Sequence, residues 1–305
     1  MYLLENEHLK IAASENGAEL QSLFDKQQNK EWLWQADAQW WGKKAPILFP
    51  FIGALKNGEY QHEGKAYTMS KHGFARDMVF ECVSSSDIDD SSFCDTAMYS
   101  HADALTFILA STSETLKIYP FEFVLKIIYR LEGASLVVKH EVVNQGAQPM
   151  LFSLGGHPAF NCPMDSEDWR LSFEVPEVLE TYCIDLKNGL ILSDKKGLPS
   201  SGKPLNLSGA LFEDDALVFE NLKSKWVTLE GPTPKEQLRF HFEGFPLFAI
   251  WSPKGPFVCL EPWFGMADFT TSTGLLEEKY GVQLLEAGAV FKCQYRIELV
   301  SDLSK

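Results

Sequence analysis

Three short segments of the chain set a titratable side chain among turn residues. In Ser153–Asn161, two glycines precede His157 and a proline follows it. The glycines allow close backbone approach and Pro158 fixes the exit, so the imidazole is pinned. Histidine can give and take a proton near neutral pH, although a lone His equally serves as a satisfied structural residue. In Val258-Cys259-Leu260-Glu261-Pro262-Trp263, a carboxylate ends an apolar run of strand type and an indole follows two positions later. Burial there would raise the proton affinity of Glu261 and suit it to base catalysis; the alternative is an exposed rim carboxylate. In Ser70–Asp77, Gly73 follows His72 and Arg76 lies four positions on. An imidazole and a planar guanidinium fork can bind a polyhydroxylated or anionic ligand, or simply decorate a surface loop.

Aromatic residues make up 13% of the chain, and Trp32, Trp34, Trp40 and Trp41 fall within one stretch of ten. Most belong in a core, but indole faces also stack on the apolar faces of sugar rings. Acid-rich segments around Trp169–Glu180 and at Asp214-Asp215 offer acceptors.

The elements that must position these groups read as strands. Lys117–Tyr129 and Ser135–Val143 flank Leu131-Glu132-Gly133-Ala134 as a hairpin, and the second arm alternates Val138, His140 and Val142 with Lys139 and Glu141. Further strands are expected at 217–219, 226–229, 238–242, 247–251, 257–260 and 291–300. Ala102–Ala110 and Gly274–Tyr280 are expected to form at most short helical turns, and Ser84–Asp95 a solvated loop. Many strands at short, regular spacing predict an all-β sandwich or barrel. No Pro/Gly/Ser-rich linker divides residues 1–305, so one domain is expected.

Composition narrows the partners. With 27 basic and 42 acidic side chains, the net charge is −15, and the basic residues are scattered, which argues against a nucleic-acid or acidic-membrane surface. No basic region precedes a long apolar run at the N-terminus, and no stretch approaches the length of a spanning helix. Six widely spaced cysteines, without a Cys-x-x-Cys, suggest reduced thiols in a cytoplasm and no metal site. Neither a Gly-x-Gly-x-x-Gly nor a P-loop string occurs, so no nucleotide cofactor is expected.

Taken in order, several strings resemble the aldose 1-epimerase (galactose mutarotase) family, in particular its lactose-operon-associated, hexose mutarotase-like branch. They are Lys44–Gly53 (KAPILFPFIG), Asn57-Gly58, His72–Arg76 (HGFAR), Tyr119-Pro120-Phe121, His157–Asn161 (HPAFN) and Cys259–Pro262 (CLEP). The resemblance implies a large antiparallel β-sandwich with an open sugar cleft and no cofactor. It implies that Glu261 is the base that takes the anomeric hydroxyl proton and His157 the acid that protonates the ring oxygen. By the same resemblance, His72 and Arg76 bind the sugar or a sugar phosphate, and Asp215, by a looser alignment, binds a hydroxyl. Asn161, inside a matching string, and Trp263, directly after one, are expected at the sugar as well. The implied activity is anomer interconversion of a hexose or hexose phosphate, with a small-molecule sugar as the partner. The −15 charge is expected to help keep the imidazole protonated, modestly because distant charges are screened.

One departure stands out. Where galactose mutarotases carry an Arg ahead of the Asn-Gly turn, this chain reads Gly53-Ala54-Leu55-Lys56. Arg76 can replace that guanidinium from another loop, and Lys43 and Lys44 would also permit a phosphate. A non-enzymatic carbohydrate-binding protein on the same scaffold is the rival reading. A hydrolase would need a second working carboxylate, for which Asp215 and Glu286 are the candidates.

Overall fold

The computed structural model describes residues 1–84, 104–164, 168–198 and 202–300. Two antiparallel sheets dominate. The larger has nine strands in the order Leu205–Asn206, Arg170–Phe173, Trp226–Glu230, Gln237–His241, Val290–Leu299, Ser135–Asn144, Phe123–Glu132, Ala104–Ala110 and Glu81–Ser84. The smaller has six: Leu217–Glu220, Leu247–Trp251, Phe257–Phe264, Leu154–Gly156 and Ile47–Leu48 in order, with Ala159–Asn161 also paired to Phe257–Phe264. An N-terminal sheet of four short strands, Tyr2–Glu5 to Lys30–Glu31, flanks them. The fold is thus the all-β sandwich expected from the strand pattern.

The sheets pack through alternating side chains. Phe248, Ile250, Val258, Leu260 and Phe160 from the smaller sheet meet Phe240, Tyr295, Leu125 and Ile127 from the larger in one buried cluster. Phe240 touches Phe160, Phe248 and Tyr295 at ring distances of 6.1, 6.0 and 5.2 Å, joining the two layers. Truncating such a ring typically costs about 3–5 kcal/mol. Because side chains alternate along a strand, the opposite face of the smaller sheet carries Val218, Leu247, Ala249 and Trp263 into a second, smaller cluster with Ile191 and Ala267. That second face is the one that carries polar residues.

Three local expectations need correction. Ala104–Ala110 is a strand, not a helical turn, with Leu105, Phe107 and Leu109 buried at every second position. The hairpin's first arm begins at Phe123 rather than Lys117, because Thr115–Ile118 forms a helical turn ahead of Pro120. The strand carrying Glu261 does not end there: it continues through Pro262 to Phe264. At Gly274–Tyr280 a single 3-10 turn, Leu276–Glu278, is present. The expected loop at Ser84–Asp95 lies outside the described residues after Ser84. No helix among the described residues is long and apolar enough to cross a membrane.

Candidate active site

Strand register brings the two principal candidates together. Phe257–Phe264 pairs with Leu154–Gly156 through Gly155↔Trp263, and with Ala159–Asn161 through Ala159↔Cys259. Both pairings keep the same register, so the intervening dipeptide His157-Pro158 places His157 opposite Glu261. Pro158 accepts a hydrogen bond from Leu260 N at 3.1 Å, which carries the backbone across the gap. The glycines have steric reasons: a Cβ on Gly155 would lie 2.6 Å from the Trp263 ring, and one on Gly156 would lie 2.8 Å from Tyr295. On Glu261's other flank stands Ala249.

His157 Nε2 lies 3.3 Å from Glu261 Oε2. Glu261 is 1% exposed and His157 7%. Trp41 stacks on the His157 ring at 4.8 Å, and Trp251 meets it edge-on at 5.7 Å. Burial pushes the Glu261 carboxyl well above the usual carboxylate range, and the positive charge of Lys71 offsets this only in part. Burial, followed by the Lys71 and Arg76 charges, holds the His157 imidazole down to about 3. The expectation that the −15 net charge keeps His157 protonated is therefore reversed. Remote surface charges are screened, whereas desolvation and two nearby cations act at short range. Both shifts favour the uncharged forms, a protonated carboxyl and a neutral imidazole.

His72 reaches the cleft by a different route. Gly73 packs on Phe49, where a Cβ would fall 2.2 Å from the Phe49 carbonyl oxygen, and that oxygen accepts from both Phe74 N and Ala75 N. The two strings Lys44–Gly53 and His72–Arg76 are thereby clamped together. His72 adopts a left-handed backbone, φ 70°, and its Nδ1 accepts from Gly53 N at 3.1 Å. A ring nitrogen that accepts is unprotonated, so the neutral ring carries its proton on Nε2. Burial, then the His157, Lys71 and Arg76 neighbours, lower its proton affinity well below the ordinary value.

A cleft of about 230 Å³ joins these groups; Trp41, Lys71, His72, Arg76, His157 and Asp215 line it together with Trp251, Glu261 and Trp263. It lies below the range of about 300–1,000 Å³ usual for drug-sized ligands and suits a single ring. Asp215, like His72, has a left-handed backbone, φ 73°, and its Oδ1 accepts from Ala216 N at 2.8 Å. Arg76 is braced by a bond from Nη2 to the Lys71 carbonyl at 2.9 Å. Glu261 Oε2 and the Trp263 indole N–H are buried without a hydrogen-bond partner among the described residues.

Several expected residues lie elsewhere. Asn161 does not line the cleft: its amide donates to Glu31 O and Leu33 O, both at 3.0 Å, tying the sheet to the N-terminal segment. Lys43 is held by Asp77 at 2.9 Å, and Lys44 by Gln21 O and Gln35, so neither is a cleft cation. Glu286 sits in the turn after Gln283–Leu285, away from the cleft. Asp214 pairs with Lys196, and Trp169 is buried in the core. Conversely, Lys71 and Trp251, to which the sequence pattern assigns no site role, line the cleft together with Trp41. Of the four clustered tryptophans only Trp41 reaches it.

An antiparallel sandwich of this kind is the fold of galactose mutarotase-like proteins. The chain belongs to the aldose 1-epimerase family, whose profile matches residues 1–270. It is 32% identical over 289 residues to Protein LacX, in chromosomal and plasmid forms, of Lactococcus lactis subsp. lactis, covering 90% of this chain and 91% of the relative. The fold is similar to a galactose mutarotase related enzyme from Lactobacillus acidophilus, with 33% identity, a TM-score of 0.86 and coverage of 100% and 98% of the two chains. A galactose mutarotase-like protein from Lactobacillus casei is comparable, at 32% identity, a TM-score of 0.86 and coverage of 98% and 99%.

Proposed function

We propose that the protein is a cofactor-independent mutarotase that interconverts the α and β anomers of a hexose, with Glu261 and His157 as the proton-transferring pair. The observation that carries this reading is the 3.3 Å approach of His157 Nε2 to Glu261 Oε2 at the floor of a ring-sized cleft. Opening a cyclic hemiacetal requires a proton to leave O1 and a proton to reach the ring oxygen as the C1–O5 bond breaks and C1=O1 forms. O1 and the ring oxygen are bonded to the same carbon, so two groups this close can serve both.

A single proton shared by the pair is enough. With it on the imidazole, Glu261 accepts the O1 proton while His157 delivers its own to the ring oxygen. The open aldehyde then turns about C1–C2, and the reverse transfers close the ring on the other face. Moving the resting proton from carboxyl to imidazole leaves the pair's net charge unchanged, so sugar hydroxyls that solvate the carboxylate can drive it. His72, with its proton on Nε2, donates to the ring oxygen or an adjacent hydroxyl. Asp215 accepts from a hydroxyl, and Trp41, Trp251 and Trp263 offer ring faces to the apolar side of the pyranose.

The substrate class follows from Lys71 and Arg76, two cations on the wall of the cleft. A Cβ on Gly189 would lie 3.8 Å from the Ala54 side chain and 4.0 Å from Lys71 Nζ, so Gly189 adjoins both the ammonium and the stretch where galactose mutarotases carry their Arg. A hexose bearing a phosphate is the reading this supports. The five described cysteines form no disulfide with one another, which accords with a cytoplasmic setting.

The test is proton NMR or polarimetry of freshly dissolved α-anomers of glucose, galactose and their 6-phosphates. Acceleration by the wild type, strongest with a phosphate, supports the reading. Tight sugar binding without acceleration would establish a binding protein instead.

A further inference from the structure

Among the described residues, His157, Cys259 and Glu261 are all buried and bring one nitrogen, one sulfur and one oxygen within 4.8 Å of one another. The register explains the grouping. Cys259 precedes Glu261 by two positions in one strand and so projects from the same face. Its partner across the ladder is Ala159, too small to screen it from His157. The separation of His157 Nε2 from Glu261 Oε2, 3.3 Å, matches the edge between two donors on a tetrahedral Zn²⁺ with bonds of about 2.0–2.1 Å. Glu261 Oε2 is buried and has no hydrogen-bond partner among the described residues. Cys259 is a free thiol with no part in anomer interconversion.

We infer that His157, Cys259 and Glu261 form a binding site for a thiophilic divalent cation of the Zn²⁺ class, with three protein donors and a fourth position turned to the cleft. The mixed nitrogen, sulfur and carboxylate set suits Zn²⁺ and excludes Mg²⁺ and Ca²⁺, which take oxygen ligands. Binding replaces the thiol proton with the metal and engages both members of the proton-transferring pair. On the mutarotase reading, on which this one consequence rests, the loaded protein cannot turn over sugar.

The experiment uses the full-length, reduced protein stripped with a chelator, titrated with Co²⁺ alone by absorbance and with Zn²⁺ alone by calorimetry. The expected result is one equivalent bound, with a thiolate-to-cobalt charge-transfer band that Zn²⁺ abolishes. Cys259→Ser should lose the band and bind Zn²⁺ at least tenfold more weakly, while keeping its sugar turnover and resisting Zn²⁺ inhibition by a similar factor. Cys183→Ser should match wild type. Glu261→Gln, nearly isosteric, must also weaken Zn²⁺ binding and serves as the second probe if Cys259→Ser does not fold. A folded wild type without the band, or a band and affinity that survive Cys259→Ser, overturns the site. Metal binding of the expected kind in a protein with no metal-free turnover supports the site and refutes the mutarotase reading separately.

Discussion

The backbone N–H of Gly53 donates to Nδ1 of His72 at 3.1 Å, and His72 N returns a bond to Gly53 O at 3.0 Å. This reciprocal pair fixes the tautomer of a ring that faces the cleft. Nitrogen-detected NMR should find the His72 proton on Nε2 and the ring neutral throughout the physiological range. Its proton affinity is depressed, so protonation is expected only well below pH 6.5. Titration near the ordinary histidine value, or a proton on Nδ1, would contradict the assignment.

Removing either member of the central pair should abolish most catalysis without unfolding the chain. Glu261→Gln and His157→Asn are each expected to lower kcat for anomer interconversion by about 10²–10⁴-fold, the usual contribution of a positioned acid or base. Because the two act as a unit, the double variant should be little worse than the poorer single one. Unchanged turnover in a folded Glu261→Gln protein would remove the proposed base.

Lys71 and Arg76 are expected to select rather than catalyse. Charge-assisted hydrogen bonds are worth about 1.5–3 kcal/mol, so Lys71→Met or Arg76→Met should cost about 10–100-fold in kcat/KM for a hexose phosphate. The same variants should leave the neutral hexose nearly unaffected, and raised salt should mimic them weakly. Equal losses on both sugars would show a structural role instead.

His140 predicts a pH dependence of stability unrelated to the cleft. Its ring is fully buried between the strands carrying Ile127 and Cys293, and neither nitrogen has a partner among the described residues. Burial lowers its pKa from 6.5 to about 4. Below pH 6.5 the unfolded chain takes the proton first, so stability falls as pH drops and the loss levels off once the folded protein titrates near 4. The full penalty is about 3 kcal/mol. Urea unfolding at pH 7 and pH 4.5 should show a smaller pH-dependent loss in His140→Leu than in wild type; identical losses would exclude His140 as the cause.

Gly73 should tolerate no side chain. With φ 74° and a would-be Cβ 2.2 Å from the Phe49 carbonyl oxygen, Gly73→Ala must part the two clamped strings. A destabilisation of more than about 2 kcal/mol is expected, with KM rising more than kcat falls as His72 and Arg76 lose their places. Thermal melts with parallel kinetics would check both.

Much of this architecture was readable from residue order because sandwich strands announce themselves locally. The alternation in Ser135–Val143 marks its strand, which runs to Asn144, whereas Leu154–Gly156 and Ala159–Asn161, three residues each around His157-Pro158, are too short to show a period. Errors arose where a local rule met a tertiary override. The apolar run Val258–Leu260 stops at Glu261, yet the strand does not: Pro262 sits within the ladder opposite Phe248 and leaves Glu261 in mid-strand. Ala104–Ala110 contains the alternation of a strand, but its alanines and leucines also satisfy helical preference. Lys71 adjoins His72 in sequence, but which loop side chains turn inward depends on the Phe49–Gly73 clamp. Likewise, nothing local separates Trp41 from Trp40, which remains 39% exposed.

The common register across Leu154–Gly156 and Ala159–Asn161 makes the spacing of His157 and Glu261 a property of the sheet lattice. Lys71 and Arg76, by contrast, project from a loop held to that lattice through the Phe49–Gly73 clamp, and Asp215 from the connection ahead of Leu217–Glu220. The interval between the two paired groups and the placing of the cations can therefore vary separately so long as the clamp is kept. An engineer would keep the ladder and the clamp and graft the rim around them.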